Sequence, residues 1–164
     1  IVFNEYCTTW GNPTIENVKK ICDALEGKDI KYLVIDSGWY GNSDWWWNQV
    51  GDWTLNKSRF PNGLKEAADY IRLKGMIPGL WFEMEAVTDG SVHFEEKEHL
   101  VLKDGVPLTV GNRRFWDMEN PWVVNFLRES VIKTLKDNGF GYLKVDYNDT
   151  MGIGCDGEDG LGEK

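Results

Sequence analysis

The stretch Tyr142-Leu143-Lys144-Val145-Asp146-Tyr147-Asn148-Asp149 is an apolar strand that runs into a knot of ammonium, carboxylate and amide groups. Side chains alternate faces along a strand, so Lys144 and Asp146 point to the same side. At the mouth of a parallel barrel, that side is where chemistry collects. The same pattern also suits an ordinary strand end with one surface ion pair. The rest of the chain decides between the two.

Working outward, the element before this strand reads as a helix. Asn120-Pro121 opens it, with Asn as the cap and Pro at the first helical position. Val124, Leu127, Val131, Ile132 and Leu135 fall at helical spacing, and Gly139 ends it. The order of helix, glycine, apolar strand and acidic residue occurs twice more. Asn12-Pro13 opens a helix striped by Ile15, Val18, Ile21, Cys22 and Leu25; Gly27 closes it, and strand Tyr32–Ile35 ends at Asp36. A helix over 64–74, with Leu64, Ala67, Ala68 and Ile71 inward, stops at Gly75; a strand over 76–82 follows and ends at Glu83. A short apolar run over 1–5 precedes them all. Two long connections, 37–61 and 84–112, carry most of the tryptophans and both histidines respectively.

Strands separated by helices predict βαβ units and a parallel sheet. An open doubly wound sheet would carry a glycine-rich phosphate turn after its first strand. The segment Tyr6-Cys7-Thr8-Thr9-Trp10-Gly11 is no such turn. Carboxylates on successive strand ends favour a (β/α)8 barrel, whose sites draw on several strands. A whole barrel takes about 250 residues, whereas this chain has 164 and about four βα units. The predicted fold class is therefore α/β, a partial (β/α)8 TIM barrel with parallel strands. It begins at Ile1 inside a strand, without an initiator Met, and stops at Lys164 after a Gly-rich stretch. Both ends are expected to be cut from something longer. Half a barrel leaves two open sheet edges, to be covered by the missing C-terminal half or by homo-oligomerisation.

Composition narrows the function. The net charge is −9 and no basic patch is visible, which disfavours a nucleic-acid partner. No apolar run reaches membrane-spanning length, and no basic region followed by an apolar stretch opens the chain. The three cysteines, Cys7, Cys22 and Cys155, lack CxxC spacing; they suggest a reducing, cytoplasmic setting and no structural zinc. His93 and His99, six apart in a charged loop, read as solvated histidines rather than metal ligands. No nucleophile elbow, phosphate loop or dinucleotide fingerprint is present, and no cofactor is implied.

The nine tryptophans are the compositional outlier. An indole offers a flat apolar face and one N–H donor, which suits the C–H faces of sugar rings as well as a core. For Trp122, on a helix, packing is the preferred reading. Three adjacent indoles at Trp45, Trp46 and Trp47 are hard to bury together, so at least one is expected to face a ligand or a partner. Glycoside cleavage needs two carboxylates facing one bond, about 5–5.5 Å apart in a retaining enzyme. Asp146 has the setting of a nucleophile, with Lys144 on the same face to keep it ionised. Asn148, two further on, is placed to meet a substrate hydroxyl. Asp36 and Glu83 are candidates for gripping sugar hydroxyls, or else simple caps and loop ion pairs.

Four ordered motifs carry a more specific resemblance. Val34-Ile35-Asp36-Ser37-Gly38-Trp39-Tyr40-Gly41 resembles the Asp-Asp-Gly-Trp-Phe-Gly segment of the family 36 α-galactosidases. Gly51-Asp52-Trp53 followed by Phe60-Pro61-Asn62-Gly63-Leu64 is similar to their Gly-Asp-Trp…Phe-Pro-x-Gly-Leu. Gly79-Leu80-Trp81-Phe82-Glu83-Met84-Glu85 resembles their Gly-Leu-Trp-Phe-Glu-Pro-Glu, and Leu143-Lys144-Val145-Asp146-Tyr147-Asn148 resembles their Leu-Lys-Trp-Asp-x-Asn. The resemblance spans most of the chain.

It implies a (β/α)8 barrel, retaining hydrolysis of α-galactoside oligosaccharides, and residues 1–164 as the N-terminal half of the catalytic domain. Asp146 would be the nucleophile. Asp36 and Lys144 would hydrogen-bond galactose, Trp81 would form an apolar wall, and Trp39 and Asn148 would belong to the same site. Arg113, or the adjacent Arg114, falls near the family's sugar-binding arginine; Arg113 is taken as the site residue. Ser37 stands where the family has a second Asp, and Met84 where it has Pro. The acid/base carboxylate of the family lies on a later strand, past Lys164. The chain alone is therefore expected to be inactive. A transglycosylase of the same fold and a degenerate sugar-binding module are the alternatives.

Overall fold

The computed structural model of the protein describes residues 1–42, 45–152 and 154–156. In chain order the elements are β1 (Val2–Asn4), α1 (Tyr6–Thr9), α2 (Ile15–Leu25), β2 (Tyr32–Ile35), α3 (Leu64–Leu73), β3 (Ile77–Phe82), β4 (Ala86–Thr88), β5 (Leu102–Lys103), β6 (Val106–Pro107), β7 (Thr109–Val110), β8 (Arg113–Phe115), α4 (Pro121–Leu127), α5 (Lys133–Asn138) and β9 (Tyr142–Val145). A π-helical turn, Arg128–Ile132, joins α4 to α5.

The core sheet has the order β1-β2-β3-β9, and every pairing in it is parallel. Its strands are apolar nearly throughout, as parallel strands covered by helices must be. Register explains why chemistry gathers at one end. Asn4 pairs with Val34, Ile35 with Leu80, and Phe82 with Val145. The amides of Glu5 and Asp146 extend the ladder to the carbonyls of Val34 and Phe82, at 3.2 and 2.9 Å. Glu5, Asp36, Glu83 and Asp146 thus stand in one row just past the carboxyl ends of neighbouring strands. This is the partial (β/α)8 arrangement that the sequence predicts.

Local chemistry sets the helix ends, with two corrections. The helix expected to start at Asn12-Pro13 starts at Ile15, because Thr14 is the cap: its backbone is extended and its hydroxyl accepts from the Asn17 amide at 3.2 Å. Asn120 caps α4 as expected, accepting from the Trp122 amide at 2.9 Å. The inner stripe of this helix is Val123, Leu127 and Val131, while Val124 is exposed. That four-residue spacing runs into the π turn, which widens the helix locally and displaces the 3.6-residue pattern.

The segment 84–112 is more ordered than a charged connection suggests. Antiparallel strands β4, β8 and β7 form a small sheet. Beside it, β5 and β6 form a hairpin whose turn residues, Asp104 and Gly105, both have positive φ, the mirror-image turn that Asp-Gly favours. Both histidines are half-buried against aromatic rings rather than free in solvent. His93 is edge-on to Trp122 and Phe126, and His99 stacks on Trp122 with centroids 3.8 Å apart and planes 4° from parallel. Trp122 does pack, but across histidine, and it stays partly exposed. No helix among the described residues is long and apolar enough to cross a membrane.

Candidate active site

A cavity of about 210 Å³ opens at the carboxyl ends of β1, β2 and β9. Asp36, Ser37, Lys144, Asp146 and Asn148 line it, together with Trp46, Asn4 at the end of β1, and Tyr6 and Cys7 just after it. Parallel register brings Asp36 and Lys144 together from 108 positions apart: Lys144 Nζ donates to Asp36 Oδ2 at 2.7 Å. The second Asp36 oxygen accepts from the Ser37 amide at 2.8 Å.

Asp146 is held differently from the sequence expectation. Lys144 makes its close contact with Asp36, not with Asp146. Trp81, on β3, donates its indole N–H to Asp146 Oδ2 at 3.0 Å, and the Tyr147 amide donates to Oδ1 at 3.0 Å. Partial burial pushes the Asp146 pKa up, but the Trp81 hydrogen bond, then the Tyr147 amide, the Lys144 charge and Asn148 outweigh it. The net result is a carboxyl held below its usual range. Its ionised state is thus secured mainly by neutral N–H donors.

Glu83 has the opposite surroundings. It is buried and accepts from Arg113 Nε at 2.8 Å and from Asn148 Nδ2 at 2.8 Å. Arg113 continues to Asp149 at 3.1 Å. Glu83 therefore grips protein rather than an open cavity, and it aims Asn148. Arg114 turns away to the Phe94 carbonyl and Glu95.

Trp39, grouped with the site in the sequence reading, does not line the cavity. It is fully buried, donates its indole N–H to the Trp81 carbonyl at 2.9 Å, and packs against Tyr40, Trp53 and Phe82. The chain bends at Gly38, whose φ is 94° and whose Cα lies so close to Gly11 that a Cβ would stand 2.1 Å from the Gly11 carbonyl oxygen. The Arg59 guanidinium bonds both carbonyls across this bend. Trp39 then enters the core and supports Trp81 from beneath.

One residue of the row escaped the sequence reading. Glu5 is fully buried, accepts from the Asp36 amide at 2.9 Å and bonds the Thr9 hydroxyl. Burial raises its pKa. The signal was present: the first apolar run, like the other three strands, ends in an acid.

Comparison with known proteins assigns this arrangement. The family model described as Melibiase matches residues 1–158. The chain belongs to the melibiase family. An α-galactosidase of Lactobacillus acidophilus is 28% identical over 153 residues, covering 92% of this chain and 21% of that protein. The melibiase fold is equally clear in solved structures. An α-galactosidase from Lactobacillus brevis superposes with a TM-score of 0.79 at 26% identity, over 90% of this chain and 20% of that one. A variant of a family 36 α-galactosidase from Geobacillus stearothermophilus, solved with raffinose, gives 0.80 at 27% identity, over 90% and 21%. The chain spans about a fifth of the length of the curated relatives it matches.

Proposed function

We propose that residues 1–164 are the N-terminal, nucleophile-bearing half of the (β/α)8 catalytic domain of a retaining α-galactosidase. The observation that carries this reading is the pairing, in one cavity, of a carboxylate kept ionised at a strand end, Asp146, with the Asp36–Lys144 hydrogen-bonding pair. In the proposed reaction Asp146 attacks the anomeric carbon of an α-linked galactose through an oxocarbenium-like transition state. A galactosyl ester forms, and the bond to the leaving oxygen breaks. An acid contributed from beyond Lys164 protonates that oxygen, then deprotonates the water that hydrolyses the ester. Asp36 and Lys144 hold sugar hydroxyls with charge-assisted hydrogen bonds. Asn148, aimed by Glu83 and Arg113, reaches the same ring. Trp81, fully buried and outside the cavity lining rather than the apolar wall the resemblance implied, acts by fixing Asp146.

On this reading β1 and β9 are continued by further barrel strands or covered by association, and the 1–164 chain by itself releases no galactose. Terminal α-galactosides of short oligosaccharides are the proposed substrates. The cytoplasm is the proposed setting, since Cys7, Cys22 and Cys155 are all unpaired and Cys7 is exposed. In the full-length protein, Asp146→Asn is expected to reduce kcat for an aryl α-galactoside by roughly 10⁴-fold or more, with the thermal midpoint little changed. Near wild-type turnover in that variant would sink the nucleophile assignment. Proton NMR of the first-formed sugar reads the stereochemistry: α-galactose is expected, and β-galactose would exclude retention.

A further inference from the structure

We infer that Trp45 and Trp47 form an aromatic platform that binds the sugar ring next to galactose, on its leaving-group side. The inference rests on the α-galactosidase reading of the cavity for the ring's identity, but on separate observations for the platform itself.

Residues 1–164 enclose about 210 Å³ around Asp146, less than the ~300–1,000 Å³ of pockets that take up whole drug-sized ligands. On the face this chain supplies, the further rings of an oligosaccharide therefore run past the cavity's mouth. Trp46 forms part of that mouth, and an aromatic path leads outward from it. Its ring meets Trp47 edge-on at 5.9 Å, and Trp47 meets Trp45 at 4.8 Å with planes 38° apart. Trp45 is 59% exposed and Trp47 42%, whereas Trp39, Trp53, Trp81 and Trp116 are at most 4% exposed. Folding has buried the indoles that serve the core and left Trp45 and Trp47 at the surface beside the candidate site. Trp10, 71% exposed and edge-on to the cavity-lining Tyr6, is exposed there too but stands apart from the Trp46–Trp47–Trp45 path.

The platform is held in place, so its faces are presented without a large ordering cost. The 3₁₀ turn Trp46–Asn48 closes with the Asn48 amide on the Trp45 carbonyl at 3.2 Å. Asn42 and Gln49 clamp the base of the loop through two side-chain bonds, at 2.6 and 2.7 Å. Gly11 lies against the Trp46 indole so closely that a Cβ would come 2.2 Å from Nε1, so a side chain there would displace the ring. An exposed aromatic surface continuous with the cavity mouth suits a sugar, whose C–H faces stack on indole while its hydroxyls stay in water.

The test compares substrates that differ only beyond the first ring. In the full-length protein, Trp45→Ala/Trp47→Ala is expected to raise KM for raffinose about 10-fold. For methyl α-galactoside, which has no second ring, kcat/KM should stay within about two-fold. Trp45→Phe/Trp47→Phe should recover most of the raffinose KM, because a stacking face remains. An equal loss on both substrates, or no loss on either, overturns the platform. So does a change in sedimentation without a change in raffinose KM, which would make the patch a protein interface. If the wild-type protein hydrolyses neither substrate, the hydrolase reading fails, and the platform is read by quenching of tryptophan fluorescence on titration with raffinose. Loss of that quenching in the Ala variant supports the platform; unchanged quenching contradicts it.

Discussion

Asp36 and Glu83 hold equivalent places in the sheet, one residue past the ends of adjacent parallel strands, yet they have opposite work. Asp36 bonds one lysine and its neighbouring amide and lines the cavity. Glu83 is closed in by Arg113 and Asn148 and does not line that cavity. The same contrast separates Asp146, which lines the cavity, from Glu5, which is fully buried. A strand-end acid is therefore no role in itself. What separates the two kinds is whether the donors around the carboxylate use up its lone pairs or leave some for a ligand.

Substitutions can break that contrast. The largest effect is expected at Glu83. Glu83→Ala removes the buried partner of the Arg113 guanidinium and leaves it only Asp149 and Asn112. Losing one partner of a buried pair costs up to about 3–5 kcal/mol, so the thermal midpoint of the full-length protein should drop sharply. A stable Glu83→Ala protein whose only defect is sugar affinity would merge the two classes. Asp36→Asn should do the reverse: kcat/KM falls roughly 10–100-fold, as expected for losing charge-assisted bonds worth about 1.5–3 kcal/mol, with the melting curve little moved. A collapse in stability without a kinetic effect would contradict the assignment.

The pH profile sharpens the comparison further. The carboxyl of Asp146 is depressed, so the ionised form is present at and above the usual carboxylate value of 3.8 and is lost only as pH falls through the lower folded value. Trp81→Phe removes the indole donor and should move the acidic limb of kcat/KM to higher pH. An unmoved limb would show that the indole does not set the ionisation. The smallest effect is expected at Glu5, whose pKa is raised above 4.5 by burial. Its contribution to stability is complete below 4.5 and declines as pH rises through the folded value. Glu5→Gln keeps an acceptor for the Asp36 amide and removes that decline. The variant should gain stability relative to wild type on going from acid to neutral pH; parallel pH–stability curves would rule out a buried titrating Glu5.

Much of the fold was legible because three helix–glycine–strand–acid units repeat and each step has a local physical cause. The site was legible where backbone periodicity decides it, as for Asp146 and Lys144 on one strand face. Other features were not. The Lys144–Asp36 and Arg113–Glu83 bonds cross 108 and 30 positions, and no local pattern encodes such pairings. Trp39 and Trp81 carry the same side chain next to the same site, and only packing decides that one supports the other. The Asp104-Gly105 turn was a missed local signal, masked by the charge of its surroundings. His93 and His99 looked solvated because their aromatic partner Trp122 lies on a distant helix.

Covalent trapping tests the central claim most directly. The full-length protein is incubated with an activated fluorinated α-galactosyl fluoride, from which an attacking carboxylate displaces fluoride to leave a slowly hydrolysed ester, and the peptides are mapped by mass spectrometry. The expected result is one galactosyl-derived label on Asp146, absent in Asp146→Asn. A label on Asp36 or another carboxylate, or turnover of ordinary substrate with no covalent species, would contradict the account.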